Sequence, residues 1–249
     1  MARYDEIGVG YSDTRREDPH TRELIHTAIG GARIVLNVGA GAGSYEPRDR
    51  FVIAVEPSEV MLNQRGNESS SSIRCTSAPL PLRDDSIDSS MAILTVHHWD
   101  EQLVDGIAEL KRVTRGTILV VTFDVFDVEP MWLVRDYFPE ADALDKQTFP
   151  TIATLVELLG GDCNVSSIPI RRDTPDWTFA SFWAHPERVL DPAARRSTSG
   201  FSRQPVAIVD RVVAEVERDL RSGEWDRRNG HLHDLDELDV GLRLIVSKS

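Results

Sequence analysis

The sequence is short of cysteine, short of basic residues relative to acidic ones, and without any long apolar run. Two cysteines, Cys75 and Cys163, occur in 249 residues. They lie far apart and match no metal or redox spacing, so each reads as a buried thiol in a reducing compartment. Lys plus Arg number 28 against 41 Asp plus Glu, a formal net charge of −13. Such a surface repels a phosphate backbone, and a doublet such as Arg171-Arg172 is too small to offset it. Nucleic acid is therefore not expected as a partner. No apolar run approaches the ~18 residues needed to span a bilayer, and the opening Met1-Ala-Arg-Tyr-Asp-Glu holds no apolar signal core. The expectation is a cytoplasmic protein with no membrane partner. Internal repeats and low-complexity segments are also missing, and the length suits one large α/β domain.

What the sequence does hold is Ile34-Val-Leu-Asn-Val-Gly39-Ala-Gly41-Ala-Gly43-Ser44, with Val52-Ile-Ala-Val-Glu56-Pro-Ser58 just downstream. An apolar run leads into three glycines at alternate positions, and a second apolar run ends on an acid. The pattern predicts a buried parallel strand, a tight turn, the start of a helix, and a second strand with a carboxylate at its tip. The glycines leave no Cβ between backbone and ligand and permit positive φ angles. Glu56 is placed to reach the vicinal hydroxyls of a ribose. This is a nucleoside-cofactor site. A dinucleotide fingerprint, G-x-G-x-x-G, would put its third glycine at position 44, whereas here it comes one residue early, at Gly43, and Ser44 follows.

The rest of the chain alternates strand and helix signals. Asp18-Pro19 opens, and Gly30-Gly31 closes, a helix ahead of the first strand. Ser58 caps a short helix running to Arg65, and Ile73-Arg-Cys75 is a short third strand. Ser89 to Thr95 and Thr117 to Phe123 are the fourth and fifth strands. Between them a helix from Glu101 to Arg115 carries Leu103, Ile107, Leu110 and Val113 on one stripe, with Gly116 as its expected stop. Ile152 to Leu159 is a further helix with a glycine stop. Asn164 to Ile170 is an edge strand, since Pro169 bars a central ladder position. Gly241 to Ser247 is the last strand. Residues 171–238 exceed what the sheet needs and are too apolar to be disordered. They contain an aromatic stripe at helical spacing from Asp176 to His185 and an amphipathic helix from Pro205 to Leu220, with Val206, Val209, Val213, Val216 and Leu220 on its apolar side.

Several of these stretches, in order, resemble the class I S-adenosylmethionine-dependent methyltransferases of the methyltransferase type 11 group. They are the G-x-G-x-G loop and the segment Thr76-Ser-Ala-Pro-Leu-Pro-Leu-Arg-Asp-Asp-Ser-Ile-Asp88, similar to D-A-E-x-L-P-F-x-D-x-S-F-D. The strand ending in His97-His98-Trp99 and the helix segment Glu109-Leu-Lys-Arg-Val113 complete the set, so the resemblance spans residues 33–125. It implies a Rossmann-like α/β fold: a seven-stranded mostly parallel sheet with helices on both faces, an N-terminal lid segment and a helical insertion before the last strand. Residues 1–249 would form one domain, with lid and first helix over 1–31, cofactor-binding core over 32–170, helical cap over 171–238 and last strand over 239–249. The implied cofactor is S-adenosylmethionine, the product S-adenosylhomocysteine, and the partner a small-molecule methyl acceptor such as those of secondary metabolism. Tyr11 and Arg15 match the lid pattern Y-D-x-I…Y-x-x-x-R.

Carried onto this chain, the resemblance implies a cofactor site of Tyr11, Arg15, Asn37, Gly39, Ala40, Gly41, Gly43, Glu56, Pro57, Thr76, Ser77, Ala78, Thr95 and His97. The family has an acid where this chain has Asn37, and another near Thr76. Asn37 keeps hydrogen-bonding capacity without charge. At position 76 a hydroxyl, or the backbone of Ser77 and Ala78, must substitute. His97 and His98 lie at the carboxyl end of the fourth strand, where open α/β sheets place ligands. They are the candidates for general-base catalysis, or else for positioning the cofactor. Asp124, after the fifth strand, is a pocket acid or a solvated loop acid. Trp132, Tyr137 and Trp183 are candidates for the substrate wall, the plainer reading being core. Adjacent histidines with no third ligand make no metal site, so no metal is expected. Two other readings stay open: an NAD(P)-dependent oxidoreductase, and a nucleoside-cofactor-binding protein without turnover. No residue fixes the acceptor atom as O, N or C.

Overall fold

In the computed structural model, which describes residues 15–66 and 70–248, the strands are β1 (Ile34–Val38), β2 (Phe51–Val55), β3 (Ser71–Ile73), β4 (Ile87–Ile93), β5 (Thr114–Phe123), β6 (Asp162–Ser167) and β9 (Leu242–Lys248). They join into one seven-stranded sheet in the order β3-β2-β1-β4-β5-β9-β6. The first five strands are parallel, and β9 runs antiparallel between β5 and β6. Two short strands, β7 (Ile170–Arg171) and β8 (Glu237–Leu238), pair separately as an antiparallel ribbon.

Both faces of the sheet are covered, which is why its central strands are apolar at consecutive positions. On one face lie Ile25 and Ile29 of α1 (Pro19–Ile29), packed with Val35, Leu119, Trp132 and Phe182. On the other lie Ile107, Leu110 and Val113 of α3 (Leu103–Val113) and Leu155 and Leu159 of α6 (Ile152–Leu159), packed on Leu36, Val38 and Val120. Each such fully buried Ile or Leu contributes roughly 1.5–3 kcal/mol relative to exposure. The first helix starts as its sequence dictates, with the Asp18 carboxylate accepting from Thr21 N–H at 2.8 Å. Ser58 likewise caps α2 (Glu59–Leu62), although this helix stops short of Arg65. Three further helices are α4 (Trp132–Asp136), α5 (Pro139–Thr148) and, in the long segment before β9, α9 (Val206–Ser222), the last preceded by α7 (Pro192–Arg196) and α8 (Ser199–Ser202) and followed by α10 (Glu224–Asn229).

Six local expectations need correction. No helix follows the glycine loop: residues 39–50 turn from β1 into β2 through positive φ at Gly39, Gly41, Gly43 and Tyr45, a sequence of angles that a helix cannot accommodate. Gly116 is not a helix stop. The helix ends at Val113, and Gly116 lies inside β5 where a Cβ would fall 2.4 Å from the carbonyl oxygen of Asp88, next to a register shift between Ile87 and Ser89. The edge strand ends at Ser167, before Ile168-Pro169, because proline breaks the ladder. The aromatic stretch is a 3-10 turn, Phe179–Trp183, rather than an α-helix. Finally, Val206 is 74 % exposed at the overhanging first turn of α9, while Val212 and Val216 are buried. The third strand also begins two residues earlier than its predicted Ile73 start, at Ser71. Among the described residues no helix is long and apolar enough to cross a membrane.

Candidate active site

The glycine loop owes its shape to three fixed points. Val55 carbonyl oxygen, at the end of β2, accepts from Gly39 N–H (2.8 Å) and Ala40 N–H (3.0 Å). The Glu56 carboxylate accepts from Gly41 N–H at 2.8 Å with one oxygen and from Ser58 N–H at 2.9 Å with the other. From the outer side, Glu17 accepts from Tyr45 N–H at 2.8 Å, and the Tyr45 hydroxyl accepts from Asp18 N–H at 3.2 Å. Burial pushes the Tyr45 phenol far above its ordinary range, so it stays protonated and is no base. At Gly39 the backbone passes so close to β4 that a Cβ would fall 1.9 Å from Oγ1 of Thr95. The glycine is required by contact as well as by its φ of 71°.

Beneath this loop lies a cavity of about 290 Å³. It is lined by Asn37 and the loop, by Glu56, Pro57 and Met61, and by Cys75, Thr76 and Ser77. A second cavity of about 150 Å³ lies beyond the end of β4. Phe123, Met131, Phe149 and Phe179 form its apolar walls, and Asp124, Glu129, Asp142 and Asp145 bring carboxylates to it. Arg15 and Leu94 line both cavities, which therefore adjoin. Arg15 is held by Asp176 through contacts of 2.6 Å and 3.1 Å. Residues 178–180 and 198–200, from the long segment before β9, complete the second cavity.

The expected cofactor residues Arg15, Asn37, Gly39, Ala40, Gly41, Glu56, Pro57, Thr76, Ser77 and Thr95 all line the first cavity. Tyr11 lies outside the described residues. Gly43 and Ala78 do not line it: Gly43 turns outward, its Cβ position facing the Arg65 guanidinium at 3.1 Å, and Ala78 is occupied by accepting from the Thr76 hydroxyl at 2.9 Å. The two histidines line different cavities. His98 lines the first cavity, and His97 the second, its ring stacked 4.1 Å from Phe149. The ring of His97 lies 3.8 Å from that of His98, at the boundary of the two cavities. Asp124 lines the second cavity while accepting from Phe126 and Asp127 N–H at 3.1 Å each, as a turn-forming acid does.

The three residues expected as a substrate wall lie in the core. Trp132, Tyr137 and Trp183 are 2 %, 3 % and 0 % exposed and line neither cavity. Their polar edges are used inside the core: Trp132 Nε1 donates to the carbonyls of Phe182 and Trp183, Trp183 Nε1 to Ile170, and the Tyr137 hydroxyl to Asp219. The cysteines are half-buried rather than buried, and Cys75 lines the first cavity.

Two observations test whether the first cavity suits a nucleoside sulfonium. Asn37 Oδ1 and Ser77 Oγ, of two lining residues, are buried polar atoms with no hydrogen-bond partner among the described residues. A buried acceptor left unpaired costs about 1–3 kcal/mol, so both atoms call for a polar ligand. Asn37 spends its other group, Nδ2, on Glu46 at 3.0 Å, and Glu46 is itself paired with Arg65 at 2.7 Å. The acid absent at position 37 thus reappears beside it, already neutralised. With no helix behind the glycine loop, the site also lacks the helix N-terminus that dinucleotide diphosphates use. Among the described residues no three His, Cys, Asp or Glu side chains gather as a metal-binding group.

The model of the methyltransferase domain family matches residues 36–121. A solved structure from Anabaena variabilis, provisionally described as a methyltransferase from an antibiotic biosynthesis pathway, is 30% identical. It covers 94% of this chain and 98% of its own, with a TM-score of 0.88. A Haemonchus contortus phosphoethanolamine N-methyltransferase in complex with S-adenosyl-L-methionine is 13% identical, covering 94% of this chain and 53% of its own at a TM-score of 0.55. The geranyl diphosphate C-methyltransferase of Streptomyces coelicolor is 13% identical, covering 92% and 78% at 0.53. The last two show the shared fold alone. No curated protein matches the sequence.

Proposed function

The chain belongs to the class I S-adenosylmethionine-dependent methyltransferases, and on that premise we propose that it methylates a small organic acceptor held in the second cavity. The observation that carries this reading is the shared wall: Arg15 and Leu94 line both cavities, so an acceptor in one meets a cofactor in the other. S-adenosylmethionine supplies, when bound, a methyl group on a positively charged sulfur, open to in-line displacement. The chain's task is to align the acceptor with it, exclude water and, where needed, take one proton.

Each residue has a role in this reading. Glu56 holds the ribose hydroxyls. Asn37 Oδ1 accepts from the ammonium of the methionine part, and Ser77 Oγ hydrogen-bonds the adenine end, while the Thr76 hydroxyl is already occupied by Ala78. Gly39 and Gly41 leave room for the ligand against the backbone. Of the two histidines, His97 faces the acceptor and His98 the cofactor. His97 is thus the better placed to receive a proton. The segment 171–238 acts as a cap that excludes water from the second cavity. A cavity well below the ~300 Å³ of ordinary drug-sized sites calls for a compact acceptor. The Anabaena protein's pathway makes a biosynthetic small molecule the natural class.

Calorimetry and an acceptor screen test the reading. S-adenosylhomocysteine should bind, NADPH should not, and Asn37→Leu and Ser77→Ala should each weaken binding. Met131→Trp, which fills the second cavity, should keep cofactor affinity and abolish acceptor-dependent release of S-adenosylhomocysteine. Undiminished turnover in Met131→Trp would place the acceptor elsewhere.

A further inference from the structure

The second cavity contains a carboxylate that the fold leaves unused. Asp142 and Asp145 stand one turn apart on α5 and share a face, and both line the cavity. Asp142 is paired with Lys146 at 2.9 Å. Asp145 is not: among the described residues its carboxylate takes no hydrogen bond and no ion pair, and Arg203 acts on it only at a distance. Burial, the main influence, and the neighbouring Asp142 push its pKa up to about 6 in spite of Arg203. The packing of α5 does not account for it, since the helix is anchored through Ala141. An unpaired, desolvated carboxylate is a cost that a matching ligand would remove.

The surroundings define that ligand. Phe123, Phe149 and Phe179 supply aromatic surface. Among the described lining residues Arg15 is the one arginine or lysine, and it is matched by Asp176. Asp124 is committed to its own turn, and Glu129 adds negative charge at the exposed rim. We propose that the acceptor is a small amine whose ammonium group docks on the Asp145 carboxylate while its apolar body lies against Phe123, Phe149 and Phe179. A charge-assisted hydrogen bond to Asp145 and attraction of the cation to the ring faces act together here. An acceptor bearing a carboxylate or phosphate is repelled by the same acids, and a neutral alcohol leaves the Asp145 charge uncompensated. The proposal rests on the second cavity being the acceptor site.

Three probes with one body separate these cases: 2-phenylethylamine, 2-phenylethanol and phenylacetate, titrated into the protein saturated with S-adenosylhomocysteine. The amine should bind at least tenfold tighter than the alcohol, and phenylacetate should not bind. Asp145→Asn should remove at least tenfold of the amine's affinity, change the alcohol's less than about twofold, and keep the affinity for S-adenosylhomocysteine, which shows the fold intact. Equal binding of amine and alcohol, an amine preference that survives in Asp145→Asn, or binding of none of the three overturns the amine proposal. Met131→Trp tells the two levels apart. Amine binding lost in Met131→Trp but indifferent to Asp145 sinks only the amine, whereas amine binding unchanged in Met131→Trp sinks the acceptor-cavity reading beneath it.

Discussion

Arg15 and Asp176, 161 positions apart in the chain, form a two-point ion pair at the wall where the cavities adjoin. Their side chains are 15 % and 9 % exposed, so neither charge is well solvated if the other is removed. Asp176→Ala should therefore destabilise the protein by about 3 kcal/mol, since it withdraws a two-point carboxylate partner from a largely buried guanidinium. Arg15→Met combined with Asp176→Leu should recover most of that loss. Urea melts of both single variants and the double give the coupling. A coupling near zero would mean that water, not burial, governs the pair.

Gly39 tests the contact between the loop and β4. Alanine there meets the Thr95 side chain within bonding distance, and the residue's φ of 71° disfavours any Cβ. Gly39→Ala should lower stability by about 2 kcal/mol or more and abolish S-adenosylhomocysteine binding. Gly30→Ala is the control for a positive φ without crowding, because its φ is 62° and nothing lies within 4 Å of the added carbon. If both variants lose the same stability and both still bind, the close approach to Thr95 has no consequence.

Glu56 is bound on both oxygens by backbone N–H groups, from Gly41 and Ser58. A glutamine at this position must turn its NH₂ toward one of those donors, so the usual conservative exchange is not conservative here. Glu56→Gln should weaken S-adenosylhomocysteine by roughly 1.5–3 kcal/mol, tenfold or more in Kd, the range for hydrogen bonds to a charged group. Calorimetry reads this directly. Wild-type affinity in Glu56→Gln would remove Glu56 from the ribose contacts.

The parts of this molecule that were legible in the sequence are those set by neighbours in the chain. Strand β1, the alternate glycines and Glu56 lie within a short stretch, where apolar runs and positive-φ residues act locally. The cap at Asp18 and the glycine behind Ile29 are equally local. Tyr45 was not legible: a tyrosine at positive φ is held there by Glu17 and Asp18, and it extends the loop where a helix was expected. The inward or outward facing of Trp132, Tyr137 and Trp183 depends on carbonyls and an acid supplied from elsewhere, which no spacing encodes. The second cavity is the extreme case. Asp145 and Phe149 meet residues 178–180 and 198–200 only through the tertiary fold.

Asp145 should also leave a mark on stability that needs no ligand. Its pKa in the folded chain is about 6 against an ordinary value of 3.8, the rise coming first from burial, then from Asp142, and opposed by Arg203. Between those two values the folded chain holds a proton that the unfolded chain has released. Stability therefore falls as pH climbs from about 4 to about 6, and above that range the full cost of the buried charge is present. Asparagine does not titrate. Asp145→Asn should thus be more stable than the wild type at pH 8 by on the order of 1–3 kcal/mol, with the difference shrinking as pH approaches 4. Urea midpoints of the two proteins at pH 4, 6 and 8 check the sign and the window. A variant that gains nothing at pH 8 would show that the carboxylate is well solvated, whereas a gain confined to high pH would identify a residue kept at the expense of stability, as binding-site groups are.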